Sequence, residues 1–158
     1  MNDEIKNYIK SYYDVYFGIN ALYERWAKER GLTSNALFVL YVIHAYPDQC
    51  TQRLICEKLL IPKQTVNTIL SSFGKKSYIR KEIAGDDKRN KFILFTEEGQ
   101  KYADLLLTDM LHFEESALMN MSSDERESMM KGSLAFLEQL TRALNVLEQP
   151  VPTSLSAK

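Results

Sequence analysis

Residues 61–99 read IPKQTVNTILSSFGKKSYIRKEIAGDDKRNKFILFTEEG, and the changes of pattern inside this stretch decide the fold. Pro62 suits a first helical residue, because its ring already holds φ near the helical value. From about Lys63 to Lys76 the apolar residues Val66, Ile69, Leu70 and Phe73 recur at helical spacing and form an inner face. Small and polar side chains occupy the outer face: Lys63, Gln64, Thr65, Asn67, Thr68 and Ser71. The period then drops to two. Ile79, Lys81 and Ile83 alternate with Arg80 and Glu82, and Phe92 and Leu94 alternate with Ile93 and Phe95. Between the two runs lies AGDDKRNK, charged and rich in turn formers, as a hairpin tip should be. Thr96 starts a further helix with Glu97 and Glu98 in its first turn, where the helix dipole favours acids.

Working back from this stretch, Thr51 caps a short helix that carries Leu54, Ile55, Lys58 and Leu59. Two short helices joined by a tight turn and followed by a two-stranded hairpin make a winged helix-turn-helix. The outer face of the second helix suits a DNA major groove. Gln and Asn pair with adenine edges, Lys holds guanine or a phosphate, and Thr bonds a base or touches the thymine methyl. Lys88, Arg89 and Lys91 at the hairpin tip are placed to reach a minor groove or the backbone. With Lys75 and Lys76 at the helix end, these residues are the expected contacts to double-stranded DNA. A polar outer face taken alone also reads as an ordinary solvated surface.

Charge supports the DNA reading. The chain holds 20 basic and 21 acidic residues, yet residues 53–95 carry 10 basic against 4 acidic, while residues 96–158 carry 5 against 11. A basic middle between neutral and acidic flanks suggests a segment that meets an anion, although a charge run taken alone also reads as a solvated face.

The flanks are helical. Ile5, Ile9, Tyr12, Tyr16, Ile19, Tyr23 and Trp26 keep a strict alternation of four and three, a heptad seam. Tyr8, Tyr13, Phe17 and Leu22 widen that stripe, so something must cover it. Gly31 ends this helix. A second follows, capped by Thr33 or Ser34, with Leu37, Leu40, Tyr41 and His44 on one face and Pro47 and Asp48 at its end. Beyond the hairpin, Tyr102, Leu106, Met110, Phe113 and Ala117 mark one long helix. Ser122 and Glu125 form a capping box for the last, whose stripe is Leu137, Leu140, Leu144 and Leu147. The expected fold is mainly α with a small β-hairpin wing: a winged helix-turn-helix with N- and C-terminal dimerisation helices. Its parts are a first dimerisation helix (1–31), a DNA-binding lobe (32–96), C-terminal dimerisation helices (97–149) and a loose tail (150–158). Burial of Ile5, Ile9, Tyr12, Tyr16, Ile19 and the four leucines is ample for an obligate homodimer, at roughly 1.5–3 kcal/mol for each large apolar side chain.

The segment DDKRNKFILFTEEG resembles the wing signature of the MarR family of transcriptional regulators. There an Asp-x-Arg is followed, seven residues after the Arg, by a Thr and then x-x-Gly; Asp87, Arg89, Thr96 and Gly99 stand at those spacings. IPKQTVNTILSSFGKKSYI is similar to the family's recognition helix, with Thr65 and Val66 at its Thr-Val position. The resemblance implies a homodimer whose first and last two helices interdigitate, with a recognition helix in each of two major grooves. It implies a structural role for Asp87, which shapes the wing, and a DNA contact for Arg89. The sequence departs from the family at Thr68, where many relatives carry Arg, at Gly74 inside the helix, and at Ser77, where the family usually has Gly. The family often holds small aromatic ligands between the dimer base and the DNA-binding lobe. Tyr16, Tyr23, Trp26, Phe38, Tyr41 and His44 are the candidates to line such a pocket, although the same aromatics also read as core.

The remaining chemistry is sparse. Cys50, beside a helix start, is the better redox candidate and Cys56, half buried on a short helix, the lesser; both also read as inert thiols. His44 and His112 stand far apart and no Cys-x-x-Cys spacing exists, so neither metal nor cofactor is expected. There is no Gly-rich phosphate loop and no Ser or Cys set beside a His in a recognisable motif, which argues against an enzyme. The longest apolar run, residues 36–43, is far short of the roughly 20 residues of a membrane span. The opening MNDEIKN does not read as a secretory or transit peptide, so a cytoplasmic protein is expected. The rival reading is a winged-helix module that acts through protein partners, consistent with the uncharged middle of the recognition helix.

Overall fold

A computed structural model describes residues 2–83 and 91–147. The order of elements is α1 (Asp3–Glu29), α2 (Ser34–Ala45), α3 (Gln52–Leu59), α4 (Lys63–Lys75), β1 (Ile79–Ile83), β2 (Lys91–Phe95), α5 (Glu97–Met119) and α6 (Ser123–Leu147). This is the expected arrangement, mainly helical with one antiparallel hairpin. The chain divides into two compact units, one up to Thr108 and one from Asp109 onward.

In the first unit α2 is the central element. Thr33 caps it by accepting from the Ala36 amide at 3.2 Å, and α1, α3, α4 and β2 all pack on it. Its buried residues are Ala36, Leu37, Val39, Leu40, Val42 and Ile43, nearly the whole circumference. The expected stripe of Leu37, Leu40, Tyr41 and His44 is therefore corrected: Tyr41 is half exposed and His44 faces outward. A helix enclosed on most sides has no amphipathic period from which a single face could be read. α3 is capped by Thr51, which accepts from the Leu54 amide at 3.1 Å. It ends at Leu60, whose φ of 52° lies in the left-handed region and turns the chain sharply into α4. Pro62 does not occupy the first helical position. Its ψ of 143° makes it the N-cap of α4, and its carbonyl accepts from the Val66 amide at 3.1 Å. Val66, Leu70 and Phe73 of α4 are buried beneath it.

The hairpin is paired from Ile79 opposite Phe95 to Ile83 opposite Lys91. Cross-strand partners share a face, so Ile79, Lys81, Ile83, Lys91, Ile93 and Phe95 lie on one side. Ile79 and Ile93 are buried at the root, while Ile83 near the tip is 55% exposed. The root is tied to the rest of the lobe twice. The Ile93 amide donates to the Cys50 carbonyl at 2.8 Å, within a bridge that pairs Thr51 with Phe92. At the other strand end, the Thr96 amide donates to the Tyr78 carbonyl at 3.0 Å, and the Thr96 hydroxyl donates to the Ser77 carbonyl at 2.6 Å. That hydroxyl also accepts from the Gly99 amide at 3.0 Å, capping α5. A Cβ on Gly99 would fall 2.5 Å from the Tyr78 carbonyl carbon. The Thr and Gly of the wing signature thus hold the root of the wing against the start of α5.

α1 packs on the lobe only through its C-terminal end, where Trp26 and Ala27 are buried and Tyr23 meets Phe38 at 5.3 Å between ring centroids. The Glu24 carboxylate accepts from the Ser34 amide at 2.8 Å; bonds from Ser34 hold its pKa below the usual value. Gly31, at φ 72°, closes the helix as the left-handed residue. Ile5, Ile9, Tyr12, Tyr16 and Ile19 are each 41–50% exposed. In the second unit the capping box forms in both directions: the Ser122 amide donates to Glu125 Oε2 at 2.7 Å, and the Glu125 amide to Ser122 Oγ at 3.2 Å. Arg126 donates to the carbonyls of Leu118 and Met121, closing the turn from α5. α6 buries none of its residues; Leu137, Leu140, Leu144 and Leu147 are all exposed.

Candidate nucleic-acid interface

α4 places its polar residues where the spacing predicts. Lys63, Gln64, Asn67, Thr68 and Ser71 are exposed and Thr65 is half buried. Two of them are already engaged. The Thr68 hydroxyl donates to the Gln64 carbonyl one turn back at 3.0 Å, which satisfies its proton within the helix. Asn67 Oδ1 accepts from Gln52 Nε2 at 2.8 Å. The same Gln52 nitrogen donates to the Lys63 carbonyl at 3.2 Å, so the first residue of α3 braces two positions of α4.

Beside the start of α4 lies a cleft of about 460 Å³ between α3, α4 and the hairpin. Its lining includes Arg53, Lys63, Lys81 and Lys91, together with Thr51, Gln52, Cys56 and Ile93. Four cations around one open concavity favour an anion such as a phosphate. Arg53 is partly neutralised by Glu57, whose carboxylate it contacts at 2.7 Å. Arg80 pairs with Glu82 on the opposite face of the hairpin. Of the expected contacts, the fold brings Lys63 and Lys91 together at this cleft. Lys75 and Lys76 stand at the other end of α4, roughly 18 Å along its axis at 1.5 Å per residue. Asp87, Lys88 and Arg89 lie outside the described residues.

Sequence reasoning missed Gln52, Arg53 and Lys81. Lys81 was legible in principle, because the strand alternation puts it on the face of Ile93. Gln52 was not, because its partners are 11 and 15 residues away on another helix.

Cys50 is corrected as the better redox candidate. It is fully buried, and burial pushes its pKa up to about 12. The start of α3 does not lower it, because the thiol sits in the core instead of facing the free amides. Cys56 is half buried in the lining of the basic cleft. The aromatic group expected around a ligand is dispersed over several environments. Tyr23 and Phe38 pack on each other, and Trp26 is buried with the Arg30 guanidinium 3.7 Å from its ring centre. Tyr16 and Tyr41 are half exposed, and His44 Nε2 lies 3.1 Å from Asp104 Oδ1. Among the described residues no cluster of His, Cys, Asp and Glu could hold a metal, and no helix is long and apolar enough to cross a membrane.

The chain is 28% identical over 109 residues to the uncharacterized HTH-type transcriptional regulator YwoH of Bacillus subtilis (strain 168), spanning 69% of this chain and 78% of the relative. Its fold is similar to that of MepR of S. aureus in a MepR–DNA complex, at a TM-score of 0.70, with 21% identity, 84% of this chain covered and 97% of the other. It is also similar to Staphylococcus aureus MarR in complex with salicylate and kanamycin, at a TM-score of 0.68, with 19% identity, 94% of this chain covered and 96% of the other. The sequence model of the MarR family matches residues 30–90, the stretch that holds α2, α3, α4 and β1. The matched stretch is similar to the MarR family, and the chain as a whole has a fold similar to that of MepR and of MarR of Staphylococcus aureus.

Proposed function

We propose that this protein is a DNA-binding transcriptional regulator that works as a homodimer on a pseudo-palindromic operator. The observation that carries the proposal is the surface formed by α3, α4 and the hairpin: an exposed row of Lys63, Gln64, Asn67, Thr68 and Ser71 beside a cleft lined by four cations. The row has the dimensions and chemistry of a helix that reads base edges, and the cations sit where a phosphate backbone flanks such a helix. MepR, of the same fold, is bound to DNA in its complex.

Dimerisation rests on the apolar surface left uncovered in one chain. Ile5, Ile9, Tyr12, Tyr16 and Ile19 of α1 and Leu137, Leu140, Leu144 and Leu147 of α6 are all exposed, and stripes of that size call for a partner. A second copy supplies one and sets two recognition helices about one duplex turn, roughly 34 Å, apart. In this reading the protein represses and a small aromatic ligand releases it, as the salicylate bound to MarR of the same fold suggests. The Tyr23–Phe38 pair at the junction of α1 and α2 is the first place to look for that ligand.

A gel shift against the DNA upstream of the protein's own gene, with excess non-specific competitor, tests the proposal. Retention of one sequence, falling at least tenfold in affinity between 50 and 200 mM salt as phosphate contacts are screened, supports it. Absence of selective retention at 50 mM salt overturns it in favour of a module that binds protein partners.

A further inference from the structure

The amide at the centre of the recognition face is held from outside its own helix. Gln52 Nε2 donates both to the Lys63 backbone carbonyl, at 3.2 Å, and to the Asn67 side chain, at 2.8 Å. The first contact orients the second. A backbone carbonyl only accepts, so the Gln52 atom facing it is its NH2 group. The Asn67 atom facing that NH2 group must in turn be the acceptor, Oδ1. Neither amide can turn over without placing two donors or two acceptors against each other. Asn67 is therefore set with its oxygen toward α3 and its two Nδ2 protons as the edge left to meet a ligand.

Resting on the DNA-binding reading above, we infer that Gln52 is a positioning residue for sequence recognition: it presents Asn67 to the major groove as a donor. An unrestrained Asn offers a donor and an acceptor side by side and so matches adenine, which carries both. An Asn held donor-first meets any major-groove acceptor: guanine N7 or O6, adenine N7 or thymine O4. Cytosine alone offers only a donor there, its N4 amino group. The device excludes cytosine at the base that Asn67 reaches instead of selecting one base. Its restraint comes from α3, so the specificity of α4 depends on a residue that need not touch DNA.

The test is selection from a duplex pool with randomised half-sites, followed by affinity measurements on the four single-base variants of the position that responds to Asn67→Ala. Wild-type protein should disfavour cytosine there by about fivefold or more, one hydrogen bond's worth of discrimination. Gln52→Ala should flatten that preference while leaving the other positions unchanged. Gln52→Glu cannot donate and sets a carboxylate against the Lys63 carbonyl, so the brace is lost and Asn67 is free to turn either edge outward. The preference against cytosine should then flatten as it does in Gln52→Ala. Ratios between duplexes cancel the uniform loss from an added negative charge, and thermal unfolding of each variant checks that the lobe is intact. A merely structural Gln52 would weaken all duplexes alike. Unchanged base preference in both Gln52 variants, with wild type still selective, overturns this inference and leaves the DNA-binding reading standing. A wild-type protein that selects no sequence overturns both.

Discussion

Replacing Gly99 by Ala and Gly74 by Ala makes the same chemical change in two helices and should have opposite effects. A Cβ on Gly99 would lie 2.5 Å from the carbonyl carbon of Tyr78 and 2.8 Å from its Cα. These are backbone atoms, and the Tyr78 carbonyl is already bonded to the Thr96 amide, so nothing flexible can move aside. Overpacking ordinarily costs about 1–3 kcal/mol and more where the site cannot relax; here the upper end, about 3 kcal/mol, is expected. For a chain of this length each kcal/mol lowers Tm by about 2–4 °C, so Gly99→Ala should melt roughly 6–12 °C below wild type. A Cβ on Gly74 meets nothing within 4 Å, and this residue lies inside α4 without a positive φ. Ala there recovers up to about 1 kcal/mol of helix propensity and should raise Tm by about 2–4 °C. Both are measured by circular dichroism at equal protein concentration, since the stability of the proposed dimer would depend on it. A Gly99→Ala protein melting within about 2 °C of wild type, or a Gly74→Ala protein falling as far as Gly99→Ala, would refute the account of how the wing is rooted.

Ser77 holds φ 58°, a conformation that costs a residue with a Cβ about 1–2 kcal/mol. Ser77→Gly, less the greater chain entropy of Gly, should raise the urea midpoint by the equivalent of about 0.5–1 kcal/mol with an unchanged slope. A soluble maleimide at pH 8 should modify Cys56 in the native protein and Cys50, with its pKa near 12, only after unfolding; equal rates for the two thiols would contradict the burial of Cys50. Glu24 and Glu125 both have their pKa lowered by hydrogen bonds, to Ser34 and Ser122 respectively. A carboxyl whose folded pKa lies below the unfolded value stabilises above the unfolded value and loses that contribution as pH falls through the folded one. The Tm gap between wild type and Glu24→Gln or Glu125→Gln should therefore be widest near pH 7 and close on acidification toward pH 3.

The elements legible in the sequence were those governed by local chemistry. Thr33, Thr51 and Ser122 cap the helices they precede because an N-cap needs only its own side chain and the next turn. The polar face of α4 and the alternating strands were legible because a lobe with one solvated side imposes a period. What depended on enclosure was not. α2 lost its expected stripe because neighbours surround it, and the same enclosure buries Cys50. At Ser77, where the MarR family usually has Gly, the chain adopts the left-handed turn regardless. The bonds from Thr96 to the Ser77 and Tyr78 carbonyls hold it in place. Pro62 stands one residue earlier than its ring suggested, because Leu60 makes the turn and leaves Pro62 extended. In the candidate site, types and positions along α4 were readable, but the bond from Gln52 to Asn67 and the convergence of Arg53 and Lys81 on Lys63 and Lys91 exist only once three elements meet.

The central claim is that two copies of this chain present paired recognition helices to one duplex. The mass of the complex with a selected operator, measured by native mass spectrometry, tests it most directly. Two chains per duplex, both lost together when either inverted half-site is scrambled, is the predicted result. One chain per duplex, or undiminished binding to an isolated half-site, would contradict it.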